Sequence, residues 1–208
     1  MPRRSVLLFG GLCLVAAVVV AIATMVVVSR RDGAATGSQA VSSTGQPSVG
    51  GPFNLVDQDG RPVDQTMLDG KWTLVFFGFT WCPDYCPTTL AALKATQERL
   101  GDRADNLQIV FISVDPERDQ PSVLKDYLSS DGFPEGVIGL TGTPAQIRAA
   151  ADAYRAYYQK VGEGEGYTMD HSLTVYLMGP DGRFRSALAG DLGPDRSADV
   201  IRRAMDRG

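Results

Sequence analysis

The chain has 208 residues, 44% of them hydrophobic, with 20 Lys and Arg against 24 Asp and Glu and a formal charge of -4. The basic residues are scattered rather than clustered, which argues against nucleic acid as a partner. Residues 52–208 make one ordinary domain, and at roughly 150 residues such a domain buries about 70% of its unfolded surface, so its cysteines are not needed as staples.

The first predicted element is apolar. Arg3 and Arg4 precede an uncharged run from Ser5 to Val28, which Arg30 and Arg31 close. At about 1.5 Å per residue a helix of this length crosses the roughly 30 Å hydrocarbon core, so residues 1–31 read as an amino-terminal membrane anchor or signal peptide. Ala21-Ile22-Ala23 offers a cleavage site, but the apolar run continues through Met25 to Val28, which favours an uncleaved anchor. Cys13 lies inside this run without the small residue that normally precedes a lipidated cysteine, and reads as an apolar residue in lipid. Arginines on both flanks balance the positive-inside signal. The segment's place at the very start puts the amino terminus inside and the domain outside. Residues 32–51 are mostly Gly, Ser, Ala, Thr and Gln, the composition of a flexible linker.

Phe53 to Val63, broken by Asp59-Gly60, reads as a short hairpin. Trp72 to Phe79 is almost wholly apolar, as expected of a central strand buried on both faces. A helix is predicted from Pro87 to Leu100, with Pro87 at its first position and Leu90, Leu93, Gln97 and Leu100 on the inward face. Leu107 to Val114 is a second buried strand. Pro121 opens a helix carrying Val123, Leu124, Tyr127 and Leu128 inward, and Val137 to Leu140 is a short strand.

Thr143, Pro144 and Gln146 combine an N-cap, a proline at N1 and a capping-box glutamine, predicting a helix to about Val161. Its stripe would be Ile147, Ala150, Tyr154 and Tyr157 or Tyr158. Gly162 to Gly166 alternates Gly and Glu and reads as a mobile acidic loop without regular structure. A strand from Leu173 to Met178 turns at Pro180-Asp181-Gly182 into a partner from Arg183 to Leu188, and a last helix runs from Ser197 to Met205. Alternating strands and helices that close on a hairpin predict an α/β domain with a mixed sheet flanked by helices.

The chemistry concentrates in Trp81 to Pro87, where Cys82 and Cys86 stand four apart, and in His171, the only histidine of the chain. Prolines follow both cysteines, which predicts a loop with Cys86 near a helix N-cap, where the helix dipole favours the thiolate. A reactive pair at the carboxyl end of a strand and the start of a helix is the thioredoxin arrangement, here spaced C-x-x-x-C. A thiol exchange enzyme needs no third soft ligand, and a cis proline usual near such pairs is missing from Tyr167 to Met178.

Two thiolates and a neutral imidazole suit soft Cu(I), and with Cu(II) their charges sum to zero. Zinc fits less well, because a structural site wants a fourth ligand. Against the ligand reading stand a plain Cys82–Cys86 disulfide in an exported domain and an ordinary loop histidine. Asp170 reads either as an orienting partner of the imidazole or as a solvated carboxylate, and Met169 as a packing residue.

Phe77 to Pro87, Ile112 to Asp119, Gly139 to Pro144, Asp170-His171 and Pro180 to Gly182 together resemble the Sco/SenC family of copper chaperones for cytochrome c oxidase. The resemblance spans nearly the whole domain from Phe53 onward. It implies a thioredoxin-like fold, an amino-terminal transmembrane anchor, and copper, as Cu(I) or Cu(II), held by Cys82, Cys86 and His171. It also implies work on the dinuclear copper centre of oxidase subunit II, by delivering copper or by reducing that subunit's cysteines as a thiol-disulfide oxidoreductase. The expected partners are that subunit and another periplasmic copper chaperone or thiol reductant. The expected place is the inner membrane, with the soluble domain on the periplasmic side.

Overall fold

Phe53 to Val63 forms its hairpin in the computed structural model, which describes residues 49–207: β1 (Asn54–Asp57) pairs antiparallel with β2 (Pro62–Asp64). Gly60 takes a φ of 79° in the turn, and the Asp57 carboxylate accepts the backbone N–H groups of Asp59 and Arg61. The anchor and linker expected over residues 1–31 and 32–51 lie almost wholly outside the described residues. Among those described, no helix is long and apolar enough to cross a membrane.

The apolar run becomes β3 (Trp72–Gly78), buried at every position. It lies between β4 (Leu107–Ser113), which runs parallel, and β8 (Thr174–Met178), which runs antiparallel. The sheet continues outward from β4 through β5 (Ile138–Thr141) to the first hairpin, and from β8 to β9 (Phe184–Ala189). The order β2-β1-β5-β4-β3-β8-β9 is the mixed, thioredoxin-like sheet that the alternating pattern predicts. With β3 interior to the sheet, the residues just after Gly78 emerge at the carboxyl ends of the parallel strands, where open α/β sheets place their ligands.

Helices α1 (Tyr85–Leu100), α2 (Pro121–Leu128), α3 (Pro144–Tyr154) and α4 (Pro194–Met205) cover this sheet, with α1 packed on α4 and α2 on β5. Phe76, Phe77, Phe111 and Tyr154 are fully buried and meet in edge or tilted contacts, Phe76 to Phe111 at 5.6 Å and Phe77 to Tyr154 at 5.5 Å. Burying one such side chain contributes about 1.5–3 kcal/mol.

All four helices depart from the sequence reading, α4 only by starting at Pro194 rather than Ser197. Helix α1 starts at Tyr85, so Pro87 is its third residue rather than its first; no N–H of the first turn has an intrahelical partner, so the proline costs no hydrogen bond there. Thr96 is buried on its inner face where Gln97 was expected. In α2, Val123 is 36% exposed, leaving Leu124, Tyr127 and Leu128 to face the core, Tyr127 against Phe111 and Phe133.

Helix α3 has the expected capping box but ends at Tyr154, not Val161, because Arg155 turns left-handed with φ 55°. The residues beyond form β6 (Tyr158–Val161), paired with β7 (Thr168–His171) in a separate two-stranded sheet. Gly162 to Gly166 is therefore the connection of a hairpin. It holds a short 3-10 turn over Gly164–Gly166, with left-handed φ at Gly162 and Gly164.

Candidate metal centre

The central strand delivers the cysteines. Beyond Gly78 the chain passes Phe79 and Thr80, and Cys82 closes a turn by donating its N–H to the Phe79 carbonyl. Cys82 stays in the loop, while Cys86 sits one residue inside α1, where its N–H donates to Cys82 Sγ at 3.4 Å. Both are free thiols; Cys86 is fully buried and Cys82 retains 9% exposure. Gly78 makes the space, since a Cβ there would lie 2.8 Å from Cys86 Sγ and 2.7 Å from the Phe111 ring.

His171 reaches the same point from the opposite side, as the last residue of β7. Its Nε2 is 3.6 Å from Cys86 Sγ, and its ring lies edge-on to Phe79 at 5.7 Å. Nδ1 is 3.0 Å from the Ser172 carbonyl, which can only accept, so Nδ1 carries the hydrogen and Nε2 presents a lone pair to the sulfurs. The two sulfurs and a ring nitrogen all lie within 4.8 Å of one another. The three residues singled out in the sequence are thus brought together.

Asp170 is not part of this group. It is exposed, because successive residues of a strand face opposite ways, and the imidazole is oriented by a backbone carbonyl instead. Met169 is 8% exposed and packs inward, as expected.

The electrostatics separate the two thiols. The Cys86 thiol hydrogen bond, helped by the Cys86 and Asp84 backbone, holds Cys82 far below the ordinary thiol range against the opposing cost of burial. The same hydrogen bond, together with burial, pushes Cys86 far up. The pair therefore shares one proton, with the negative charge on the more accessible sulfur. A thiolate at the loop position and an imidazole nitrogen beside it form a nucleophile and a soft donor set at once.

Around these three residues lies a layer whose roles sequence reasoning missed. Buried Asp119 accepts from Thr80 N at 3.0 Å, Thr80 Oγ1 at 2.6 Å and Ser113 Oγ at 2.6 Å, tying the cysteine loop to the end of β4. Burial raises its pKa, opposed by those hydrogen bonds. Buried Asp115 pairs with Arg118 and accepts the Tyr167 hydroxyl at 2.7 Å. The only sequence signal was the charged Asp115-Pro-Glu-Arg-Asp119 run straight after a buried strand, which reads equally well as a solvated turn. Trp81 at 64% exposure and Tyr85 at 56% flank the cysteines on the outside.

The family model SCO1/SenC matches residues 41–206. Protein SCO1 homolog 1, mitochondrial, of Arabidopsis thaliana is 43% identical over 144 residues, 68% of this chain and 42% of that protein. The chain spans about half the length of the curated relatives it matches. The crystal structure of Arabidopsis thaliana ScoI with copper bound superposes with a TM-score of 0.73 at 38% identity, over 77% of this chain and all of that one. BsSco, described as a member of the Sco family of cytochrome c oxidase assembly proteins, superposes with a TM-score of 0.61 at 30% identity, over 76% of this chain and 95% of its own.

Proposed function

The chain belongs to the SCO1/SenC family, and from that membership we propose that it is a membrane-anchored copper metallochaperone acting in assembly of cytochrome c oxidase. Copper is its cargo, held by Cys82, Cys86 and His171. The observation that carries this reading is the convergence of two sulfurs and one imidazole nitrogen within 4.8 Å. The donor set fits the ion: a thiolate already favoured at Cys82, a second sulfur beside it, and an Nε2 lone pair 3.6 Å from Cys86 Sγ suit three-coordinate Cu(I), while two thiolates and a neutral imidazole neutralise Cu(II). No fourth protein ligand joins the group among the described residues, which leaves a side open for an incoming ligand from a partner.

The recipient in this reading is the dinuclear copper centre of oxidase subunit II. A second periplasmic copper chaperone or a thiol reductant supplies the copper or the electrons. Residues 1–31 anchor the chain in the inner membrane, residues 32–51 act as linker, and the domain from residue 52 onward works on the periplasmic side.

A second reading is favoured by the charge on Cys82. A depressed thiolate beside a protonated thiol is the arrangement of a thiol-disulfide oxidoreductase. Cys82 would attack a disulfide of subunit II, releasing one of its thiols and forming a mixed disulfide, and Cys86 would then attack the Cys82 sulfur and displace the subunit's second thiol. The chain's pair is then oxidised to a disulfide as the subunit's pair is reduced.

His171→Ala separates the two readings in cells that lack the wild-type chain. The chaperone reading predicts loss of the oxidase copper centre, and the exchange reading predicts assembly close to wild type, both scored by oxidase activity and bound copper. Full assembly with His171→Ala would overturn copper delivery through this site.

A further inference from the structure

We propose that Arg118 is a positioning residue, a latch that holds the His171 hairpin against the cysteine loop and so sets how fast bound copper is released. The retention part rests on the copper reading of the site; the latch itself does not.

The hairpin needs such a restraint. β6 and β7 pair only with each other and form no ladder with the seven-stranded sheet. An isolated two-stranded hairpin is marginal in water. Where the strands end, backbone and Ser172 hydroxyl hydrogen bonds join Tyr157 to Ser172, but these close the hairpin on itself. Attachment to the body falls to side chains: on β6 the Lys160–Glu117 ion pair and Tyr158 stacked under Arg148, and on the β7 side the inward Tyr167 and Met169, each 8% exposed, with whatever grips them.

Arg118 grips Tyr167 twice. Its Nη1 donates to the Tyr167 carbonyl at 3.0 Å, and its guanidinium carbon lies 3.7 Å from the centre of the Tyr167 ring. The same guanidinium is 5.1 Å from the ring of Trp81, the residue before Cys82, and 6.0 Å from that of Phe79. One side chain thus touches the cysteine loop and the histidine hairpin together. Asp115 completes the grip by pairing with Arg118 and accepting the Tyr167 hydroxyl. Tyr167 precedes β7 and His171 ends it, so a peg at Tyr167 constrains the position of the whole strand that carries the imidazole.

Arg118 Nη2 is buried and has no hydrogen-bond partner among the described residues. A buried donor left unpaired carries a desolvation cost that a purely structural network would avoid. Arg118 itself holds the hairpin by stacking on Tyr167 and one carbonyl bond, with Asp115 accepting the Tyr167 hydroxyl beside it.

The test uses Arg118→Met in the whole chain, with Arg118→Lys beside it; the lysine keeps a charge next to Asp115 but cannot stack flat on Tyr167 and reach its carbonyl at once. In metal-free protein, amide hydrogen exchange of Tyr158–Val161 and Thr168–His171 should quicken about tenfold in Arg118→Met and less in Arg118→Lys, while β3 and β4 amides keep wild-type protection. With Cu(I) loaded, transfer to a chelator should quicken by a similar factor.

Unchanged hairpin exchange alongside protected β3 and β4 would overturn the latch, whether or not the chain binds copper. Faster hairpin exchange with an unchanged release rate would overturn the control of retention. Failure of the wild type to bind copper would remove the copper reading and leave the exchange result to judge the latch. Should Arg118→Met not fold, Arg118→Lys carries the same comparison.

Discussion

The two halves of the metal centre are held in opposite ways. The cysteines stand on the most buried part of the molecule, between a central strand buried at all its positions and the first turn of α1, with Asp119 fixing the loop from below. The histidine stands on a two-stranded hairpin outside the main sheet, fastened by side chains. One half is part of the core and opens only with it; the other can be released locally. In the proposed copper carrier this division assigns retention of the ion to two fixed thiols and admission of an exchange partner to one ligand on a detachable arm.

Three changes sharpen or break this contrast. Asp119→Ala removes a buried acceptor from three donors and should cost about 3 kcal/mol of global stability, seen as a lower denaturation midpoint with slope unchanged. Gly78→Ala drives a methyl into Cys86 Sγ and the Phe111 ring and should cost about 2 kcal/mol. Its effect on copper binding should exceed its effect on hairpin exchange. Wild-type stability in either variant would mean that the cysteine half is not core-supported.

Tyr167→Phe, on the histidine side, should cost about 1 kcal/mol and act on hairpin exchange while leaving β3 unaffected. Burial, with the hydrogen bond to Asp115 next, raises the Tyr167 pKa to about 12 from an ordinary value near 10. A raised folded-state pKa gives stability that is complete below the unfolded value and is lost as pH climbs through the folded one. The Tyr167 contribution should therefore be intact below about pH 10 and fade between about 10 and 12. An ultraviolet phenolate titration of wild type minus Tyr167→Phe should show a missing transition near the top of that window. A missing transition near pH 10 would mean that Tyr167 is free of its pocket.

The cysteine half was legible in the sequence because its signals are local. The unbroken apolar run from Trp72 to Phe79 gives a buried strand, and Cys82 and Cys86 follow it directly. His171 was legible as the sole imidazole in a chain with few soft donors. The hairpin that carries it was not: Ile147, Ala150, Tyr154, Tyr157 and Tyr158 keep a helical spacing, so α3 read straight through its true end. The stop is a left-handed Arg155, where a glycine would have announced it. The grip on Tyr167 was hidden for another reason. Arg118 and Tyr167 are far apart in the chain, and nothing local distinguishes a buried Asp115–Arg118 pair from a solvated one.

The site itself is tested by anaerobic copper titration of the reduced chain, with Cys82→Ser, Cys86→Ser and His171→Ala in parallel. One equivalent should bind tightly and, as Cu(II), give a thiolate-to-copper absorption band that either cysteine change abolishes and the histidine change shifts or weakens. Copper bound without that band, or bound equally well by all three variants, would contradict a centre built from these three residues.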